Sequence, residues 1–588
     1  MLSTILLVIA SILLFFYFSY RWALPRPIPG IPYNASSAGK VLGDVPDLLN
    51  ELALTGDMVQ WLLKQNLKTQ SPISQIFVQP LGKPYVLVSD WRAARDVMMH
   101  RSKEFDRSSL ITNLFEGLLR RQQFTLQTGA EWRAHRFLVQ DTMTPAFLNK
   151  MCAPAIYARS LDMVKLWTIK ERLAGGRPFR ATDDIFHATF DAVNSFSFGE
   201  QFQHSSTRPH IELLEKEEPE RIQEGQDINA PVEFPKAHID PSLDAMLELS
   251  EIMEAVKNAP SPSLQWRWTK LTRSFRQHTA LKDACLRTEI SKAVLRAQRR
   301  DERGTPAGHE EKVEEPSTST IRSGIDVIID RETRVAAKEQ RAPDYTSQPI
   351  MDELFGFVVA GHDTMSTTLC WAVKFLADNP GTQTKLRQAL RVAHAAAVNE
   401  SRAPAAEEIA SARIPYLEAV MEEVLRCGLT VPIGDREVVA ESGADLLGYR
   451  IPKGVIVFFL HNGPGMRIPE SDANIAKYGT EAGALHGGKK GGIAPWSDDD
   501  ITNFKPERWL SDDGSFDAQA GPSMPFGLGI RACFGKRLAY LEFRILLTMM
   551  MWHFSLGPCP EELSGYAGQL AVVHKPRVCY VRLESITK

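Results

Sequence analysis

Ten residues, Phe526-Gly-Leu-Gly-Ile-Arg-Ala-Cys-Phe-Gly535, place one cysteine in a glycine-punctuated loop directly before an apolar run that begins at Lys536. A thiolate gains from backbone N–H groups at a helix start and from glycines that let the main chain approach a metal. That setting is expected to lower the thiol pKa of Cys533, and the sulfur reads as a ligand to haem iron. A buried structural thiol would not require Phe, two Gly and Arg at fixed offsets around it. A second stretch, Ala360-Gly-His-Asp-Thr-Met-Ser366, interrupts the longest apolar helix candidate, Ile350 to Leu376, with polar groups. Gly361 weakens the helix and the Thr364 hydroxyl can bond a carbonyl one turn back, so a local widening or kink is expected there. Asp363 and Thr364 then offer an acid and an alcohol for relaying protons to dioxygen.

Phe526, Gly529, Arg531, Cys533 and Gly535 occupy every fixed position of the haem-binding loop of the cytochrome P-450 family. The Ala360–Thr364 spacing matches that family's oxygen-activation motif, A-G-x-D/E-T. The chain therefore resembles a haem-thiolate monooxygenase. The resemblance implies haem b with Cys533 as axial ligand, Phe526 packed near the sulfur, and Arg531 near a propionate. Thiolate ligation pushes electron density toward the iron and favours O–O cleavage. Trp132 and Arg136, four apart on one helical face after Gly129, match the pair that holds a propionate in the family, and Arg436 would be a further propionate ligand. Met365 departs from the second Thr or Ser that often follows the relay threonine. His362 stands at a variable position and reads as a wall or solvent-channel residue.

Glu423-Val-Leu-Arg426 puts opposite charges three apart on a helix, a spacing that by itself serves only for surface pairing. The later Phe504-Lys-Pro-Glu-Arg508-Trp resembles the segment that completes a Glu-Arg-Arg network behind the haem loop. Glu423, Arg426 and Arg508 are thus expected to hold structure rather than to catalyse.

The elements that position these groups follow the same resemblance: a mainly α fold with a minor β domain, preceded by a single N-terminal transmembrane helix. The expected division is an anchor at 1–22, a proline-rich hinge at 23–45 and a haem-thiolate domain at 46–588. Leu2 to Tyr20 carries no charged side chain and spans roughly 28 Å as a helix, close to a bilayer core. Arg21 and Arg26 follow it, which places the rest of the chain in the cytosol. A cleaved signal peptide would want a basic start and a small-residue cleavage site, whereas here Phe15, Phe16, Tyr17, Phe18 and Tyr20 crowd the far end. Pro25 to Pro32 forms a stiff strap, as in microsomal members of the family, so the endoplasmic reticulum membrane is the expected location. Gln75–Gln79 and Tyr85–Ser89 pattern as strands, as do Arg436–Ala440 and Gly448–Val457 around a Pro-Lys-Gly turn. Glu215 to Asp240, Arg299 to Ser347 and Gly479 to Gly492 read as surface excursions, a lengthening that resembles filamentous-fungal members.

The chain has 588 residues, 44% hydrophobic, and a formal net charge of -3, which excludes an electrostatic nucleic-acid binder. Seven scattered cysteines without a C-x-x-C pair argue against a disulfide framework or a zinc site. No GxGxxG-bearing nicotinamide or flavin module is evident, so the resemblance implies electrons from an NADPH-cytochrome P-450 reductase, with cytochrome b5 as an alternative donor. Lys536 and Arg537 could help that docking, or serve only solubility. Ser108–Leu119, Phe355–Gly361, Leu429–Ile433 and Ala571–Val573 are mostly apolar and are expected to line the pocket of a hydrophobic small molecule. Secondary-metabolite tailoring is the favoured role, with xenobiotic, lipid or sterol oxidation behind it. A haem-thiolate isomerase or dehydratase would have little need of the Asp363–Thr364 relay, and a membrane-anchored haem-binding electron carrier would tolerate a closed site.

Overall fold

The computed structural model describes residues 2–218, 227–257, 259, 261–303, 321–461, 496 and 500–586. The N-terminal helix, Leu2–Ala23, is exposed along its length, and its Thr4–Ala23 part is long and apolar enough to cross a membrane. The proline strap leaves it in extended conformation and is fastened by one buried side chain. Gln75 accepts from the Ile28 N–H at 2.8 Å and donates to the Ile28 and Ile31 carbonyls at 2.9 and 2.8 Å. A chain without backbone donors at four of its positions is thus tied down through the few peptide groups it has left.

Helices make up the body around the central helix, Gln348–Asp378, whose interior residues are almost all buried. Its neighbours are Thr182–Phe198 on one side, Pro415–Gly428 on another, and Lys536–His553, the helix that follows the cysteine loop. Buried apolar side chains from all of these join one continuous core. A smaller β region packs on two satellite clusters. Among the described residues its main sheet has five strands, in the order Ile73–Ile76, Tyr85–Val88, Ile456–Leu460, Ile433–Val438, Phe105–Asp106. The Pro-Lys-Gly turn does not join the expected partners: Tyr449–Ile451 pairs with Ala444–Leu446 as a separate hairpin, and Ile456–Leu460 crosses back to the main sheet.

Two expectations need correction. The central helix passes through Ala360–Ser366 as unbroken α-helix, without a wider turn. The Thr364 hydroxyl does donate to the Ala360 carbonyl at 2.8 Å, but it does so alongside the helical ladder. Gly361 instead permits close helix packing, since a Cβ there would lie 2.5 Å from Val193 Cγ2. The stretch 299–347 is not wholly a surface excursion either. Gly324–Lys338 is a helix whose Ile325, Ile328 and Ile329 are fully buried in the main core. Its apolar residues recur at helical spacing, and Asp326 fixes its start by pairing with Arg296 at 2.6 Å. From the 215–240 stretch, Val232 is buried and its N–H donates to the Pro178 carbonyl at 2.8 Å. The 479–492 stretch lies outside the described residues.

Candidate active site

The cysteine loop is shaped by two left-handed glycines, Gly527 at φ 61° and Gly529 at φ 70°. The Cys533 N–H donates to the Phe526 carbonyl at 2.8 Å and closes the loop. At Gly529 a Cβ would sit 2.0 Å from the Met98 carbonyl oxygen, so the adjacent helix, Trp91–His100, leaves no room for one. Gly529→Ala is therefore expected to cost roughly 1–3 kcal/mol in backbone strain alone, with the clash added to it. Thermal unfolding of the variant checks this, and an unchanged midpoint would refute it.

Cys533 faces a cavity of about 500 Å³. Cys533 is exposed to that space, and the protein around the loop still desolvates its thiol. Burial pushes the thiol pKa up, against the downward pull of the Gly535 and Lys536 backbone N–H groups and the charges of Arg136 and Lys536. For the thiol by itself the expected lowering is outweighed, because desolvation of a thiolate exceeds what two amides and two cations return. A bound metal reverses the balance, since a coordinating thiol is deprotonated. Phe526 also lines the cavity and packs against Tyr540, ring centroids 5.1 Å apart. Gly535 borders the cavity, and a Cβ there would meet nothing within 4 Å.

Five arginines line the same cavity; Arg426 is paired with Glu423, and the other four are Arg107, Arg136, Arg436 and Arg531. Among the described residues none of these four forms an ion pair, and Arg107 Nε and Arg531 Nη1 are buried without a hydrogen-bond partner. Arg531 donates to the Leu126 carbonyl at 2.7 Å and stacks on Trp132 at 4.9 Å. Arg136 lies 4.6 Å over Phe534 and 5.9 Å over Trp132. Burial and the charge of neighbouring Arg107 push the Arg531 pKa down to about 9 and that of Arg436 to about 10. Buried and half-buried cations that repel one another, with Asp106, Asp435 and Glu353 near enough to act on them but in no ion pair with them, call for an anionic ligand. Two propionates meet that requirement, and the thiol across the cavity suits the iron of the same group. The residues present fit haem.

Arg107 was not legible in the sequence. The register that pairs Phe105 with Val438 and Asp106 with Glu437 carries it beside Arg436, and no local pattern announces that pairing. Glu353 positions the Trp132–Arg136 helix, Ala130–Val139, against the central helix. Its buried carboxylate accepts from the Gln123 N–H at 2.7 Å and from Gln122 Nε2 at 3.0 Å, and lies 2.9 Å from His135 Nδ1. Glu542 also lines the cavity; burial alone raises its pKa to about 8, so it carries its proton at neutral pH.

Asp363 and Thr364 line the cavity as well, together with Thr368, whose hydroxyl is 2.9 Å from that of Thr430. The four expected wall segments all contribute: Ile111 and Phe115; Gly356, Phe357 and Val359 to Gly361; Leu429 to Val431 with Ile433; Val572 and Val573. His362 is not a wall residue. It points behind the central helix between Phe186 and Phe190, at ring distances of 4.9 and 5.3 Å, with Nδ1 2.6 Å from the Val358 carbonyl. A more open cleft of about 670 Å³ between Gly30–Ala35 and Lys68–Thr69 holds none of the chemistry-bearing groups.

Glu423, Arg426 and Arg508 are brought together. Glu423 is fully buried, and its carboxylate accepts from Arg426 Nε and Nη2 at 2.7 Å each, Arg508 Nε at 2.9 Å, the Lys505 N–H at 2.7 Å and Trp509 Nε1 at 2.9 Å. Arg508 also meets Asp500 at 3.0 Å.

Comparison with known proteins bears on the family of the chain. The family model described as Cytochrome P450 matches residues 45–466 and 499–577. The chain is 36% identical to "Cytochrome P450 monooxygenase TRI13" of Fusarium sporotrichioides over 100% of its own length and 99% of that protein's. It is 34% identical to "Cytochrome P450 monooxygenase xilC" of Penicillium crustosum, over 97% and 94%. A shorter match, 40% identical over 45% of this chain and 87% of the relative, is to the "Hps1-dma1 cluster cytochrome P450 monooxygenase cyp3.1" of Dothistroma septosporum.

Proposed function

The chain belongs to the cytochrome P450 family and is a haem-dependent monooxygenase with a cysteine-thiolate iron ligand; from that premise we propose that Cys533 is the ligand and that the enzyme oxidises a hydrophobic small molecule of secondary metabolism. The observation that carries the site assignment is the cavity itself. It has one cysteine on one wall, an Asp–Thr pair on the central helix facing the same space, and unpaired arginines besides. The apolar segments that complete its lining favour a hydrophobic substrate, held by shape rather than by charge. A relative named for the Hps1-dma1 cluster supports a place in a biosynthetic sequence rather than in xenobiotic clearance.

Arg107, Arg136, Arg436 and Arg531 would hold the haem propionates, with Trp132 stacked under two of those guanidinium groups. Bound there, haem supplies activation of dioxygen, and the thiolate pushes electron density toward the iron. The chain's own residues exclude bulk water, orient the substrate against the central helix and deliver protons. Asp363 takes a proton from solvent, and Thr364 passes protons inward through its hydroxyl, which is anchored on the Ala360 carbonyl.

A redox partner, dioxygen and a substrate are required of any such monooxygenase. For this chain we assign NADPH-cytochrome P-450 reductase, with cytochrome b5 as a second donor, docking over exposed Lys536 and Arg537. The exposed N-terminal helix would anchor the protein, and the arginines that follow it favour the cytosolic face of the endoplasmic reticulum. The expected bounds of anchor, hinge and catalytic domain are 1–22, 23–45 and 46–588.

Reconstitution with the reductase tests this reading, with turnover expected to require both NADPH and O₂. Thr364→Ala should keep haem yet divert NADPH into hydrogen peroxide, with product per NADPH falling about tenfold or more, in line with the weight of a positioned proton-transfer group. Full coupling in that variant would remove Thr364 from the relay.

A further inference from the structure

The wall segment Leu429–Ile433 is apolar except for one hydroxyl, that of Thr430. Its neighbours fix how that hydroxyl meets the cavity. The helix Pro415–Gly428 stops against the central helix, where a Cβ on Gly428 would lie 2.8 Å from Trp371 Cγ. Leu429 then takes a left-handed conformation, φ 49°, which a leucine adopts only at a cost in backbone strain. This turn sets Thr430 beside Thr368 of the central helix, with the two hydroxyl oxygens 2.9 Å apart, and both residues line the cavity. The carbonyls around it are already taken. Those of Thr430, Val431 and Pro432 accept from the His574 N–H at 2.9 Å, His461 Nδ1 at 2.6 Å and the His461 N–H at 2.8 Å.

The hydrogens of the threonine pair run one way. The Thr368 hydroxyl lies 2.9 Å from the Thr364 carbonyl, which can only accept, so Thr368 donates there. Between the two hydroxyls the donor is therefore Thr430. Its oxygen keeps lone pairs but has no hydrogen left to give, and turning the pair round would forfeit the bond to the Thr364 carbonyl. A ligand group that meets this oxygen must bring a hydrogen, which a carbonyl cannot do. A cationic amine is disfavoured by the arginines that share the cavity. A neutral hydroxyl satisfies both conditions.

We propose that Thr430 is a specificity-determining residue that accepts a hydrogen bond from a hydroxyl on the substrate, and that Thr368 is the positioning residue that turns the Thr430 hydroxyl to accept. The substrate class is thereby narrowed to hydrophobic small molecules that already carry an alcohol. The proposal rests on the reading of the cavity as a hydrophobic substrate pocket given above. Apolar walls discriminate weakly between molecules of similar shape, whereas a polar group built to receive a hydrogen bond penalises any ligand that leaves it unpaired. The braced carbonyls and the strained turn hold that group in place before a ligand arrives.

The test measures dissociation constants by equilibrium dialysis of the haem-loaded full chain with probes of one carbon skeleton: cyclooctanol, cyclooctanone and cyclooctane. Wild type is expected to bind the alcohol about tenfold more tightly than the ketone. Thr430→Val, nearly the same shape without the hydroxyl, should lose that preference through weaker alcohol binding, while cyclooctane stays near its wild-type value. Thr430→Ser should keep the preference. Thr368→Val frees the Thr430 hydrogen, so it should raise ketone affinity several-fold and narrow the gap. If Thr430→Val does not fold, Thr430→Ala carries the same expectation. Equal binding of alcohol and ketone by wild type, or a preference that survives Thr430→Val, would overturn the inference, while binding of cyclooctane would leave the hydrophobic pocket standing. Parallel shifts of all the probes in both valine variants would also overturn it, by making the pair a mere tie between loop and helix. Failure of wild type to bind any probe would overturn the hydrophobic-substrate reading and the inference with it.

Discussion

Cys533→His is expected to lose the red-shifted Soret band from the carbon-monoxide difference spectrum of the dithionite-reduced protein, and with it NADPH-driven turnover. The band position reports the ligand opposite carbon monoxide: a thiolate donates charge to the iron that a neutral imidazole does not. The substitution leaves the loop intact, because Gly527, Gly529 and the bond from the residue-533 N–H to the Phe526 carbonyl do not involve the sulfur. The wild-type spectrum is the other half of the test. A folded wild type without the shifted band would mean that the Cys533 loop does not hold haem, and a Cys533→His protein that kept the band would assign the thiolate to another cysteine.

Glu423→Gln should be the most damaging substitution outside the cavity. The carboxylate is fully buried and satisfies two guanidinium groups, an indole N–H and a backbone N–H at once. An amide of the same shape offers one acceptor oxygen and brings two donors into a site already full of donors. Removing one partner of a buried ion pair costs roughly 3–5 kcal/mol, because the remaining charge stays desolvated. The expected outcome is a large fall in the midpoint of thermal unfolding and in the yield of haem-loaded protein. The effect reaches haem through the fold, since Glu423 is absent from the cavity lining. Arg426→Lys should be milder but not neutral, since a lysine cannot reproduce the two 2.7 Å contacts that the guanidinium makes. A loss below about 1 kcal/mol for Glu423→Gln would place the network with ordinary surface pairs.

The groups that meet at the cavity were readable because their spacing is local. Cys533 with its glycines and Arg531, the Asp363–Thr364 pair and the Trp132–Arg136 pair each sit on one loop or one helical face, where offsets along the chain fix geometry. The same holds for the N-terminal helix, whose composition alone sets its length and polarity. Where inference ran along the chain but the deciding neighbour lay elsewhere, it failed. Gly361 looked like a helix breaker and serves helix contact, because Val193 fills the space where its side chain would be. The 324–338 stretch looked like surface and is core, since charged residues on its outer face masked the buried isoleucines. Burial pushes the Cys533 thiol pKa up against the amides and cations that its own loop supplies, because burial is a property of the whole surround.

What the sequence by itself determined is the reaction class, and it also supplies the proposed ligand loop; both are carried by residue types at short fixed intervals. The tertiary structure alone decided that Arg107 joins the arginine cluster through strand register, that His362 faces away from the cavity, and that Lys575 reaches Asp363 from 212 positions along the chain. The division has a physical cause: covalent spacing dictates which side chains share a turn or a face, whereas contacts between distant segments are chosen by how helices and strands bury their apolar surfaces against one another.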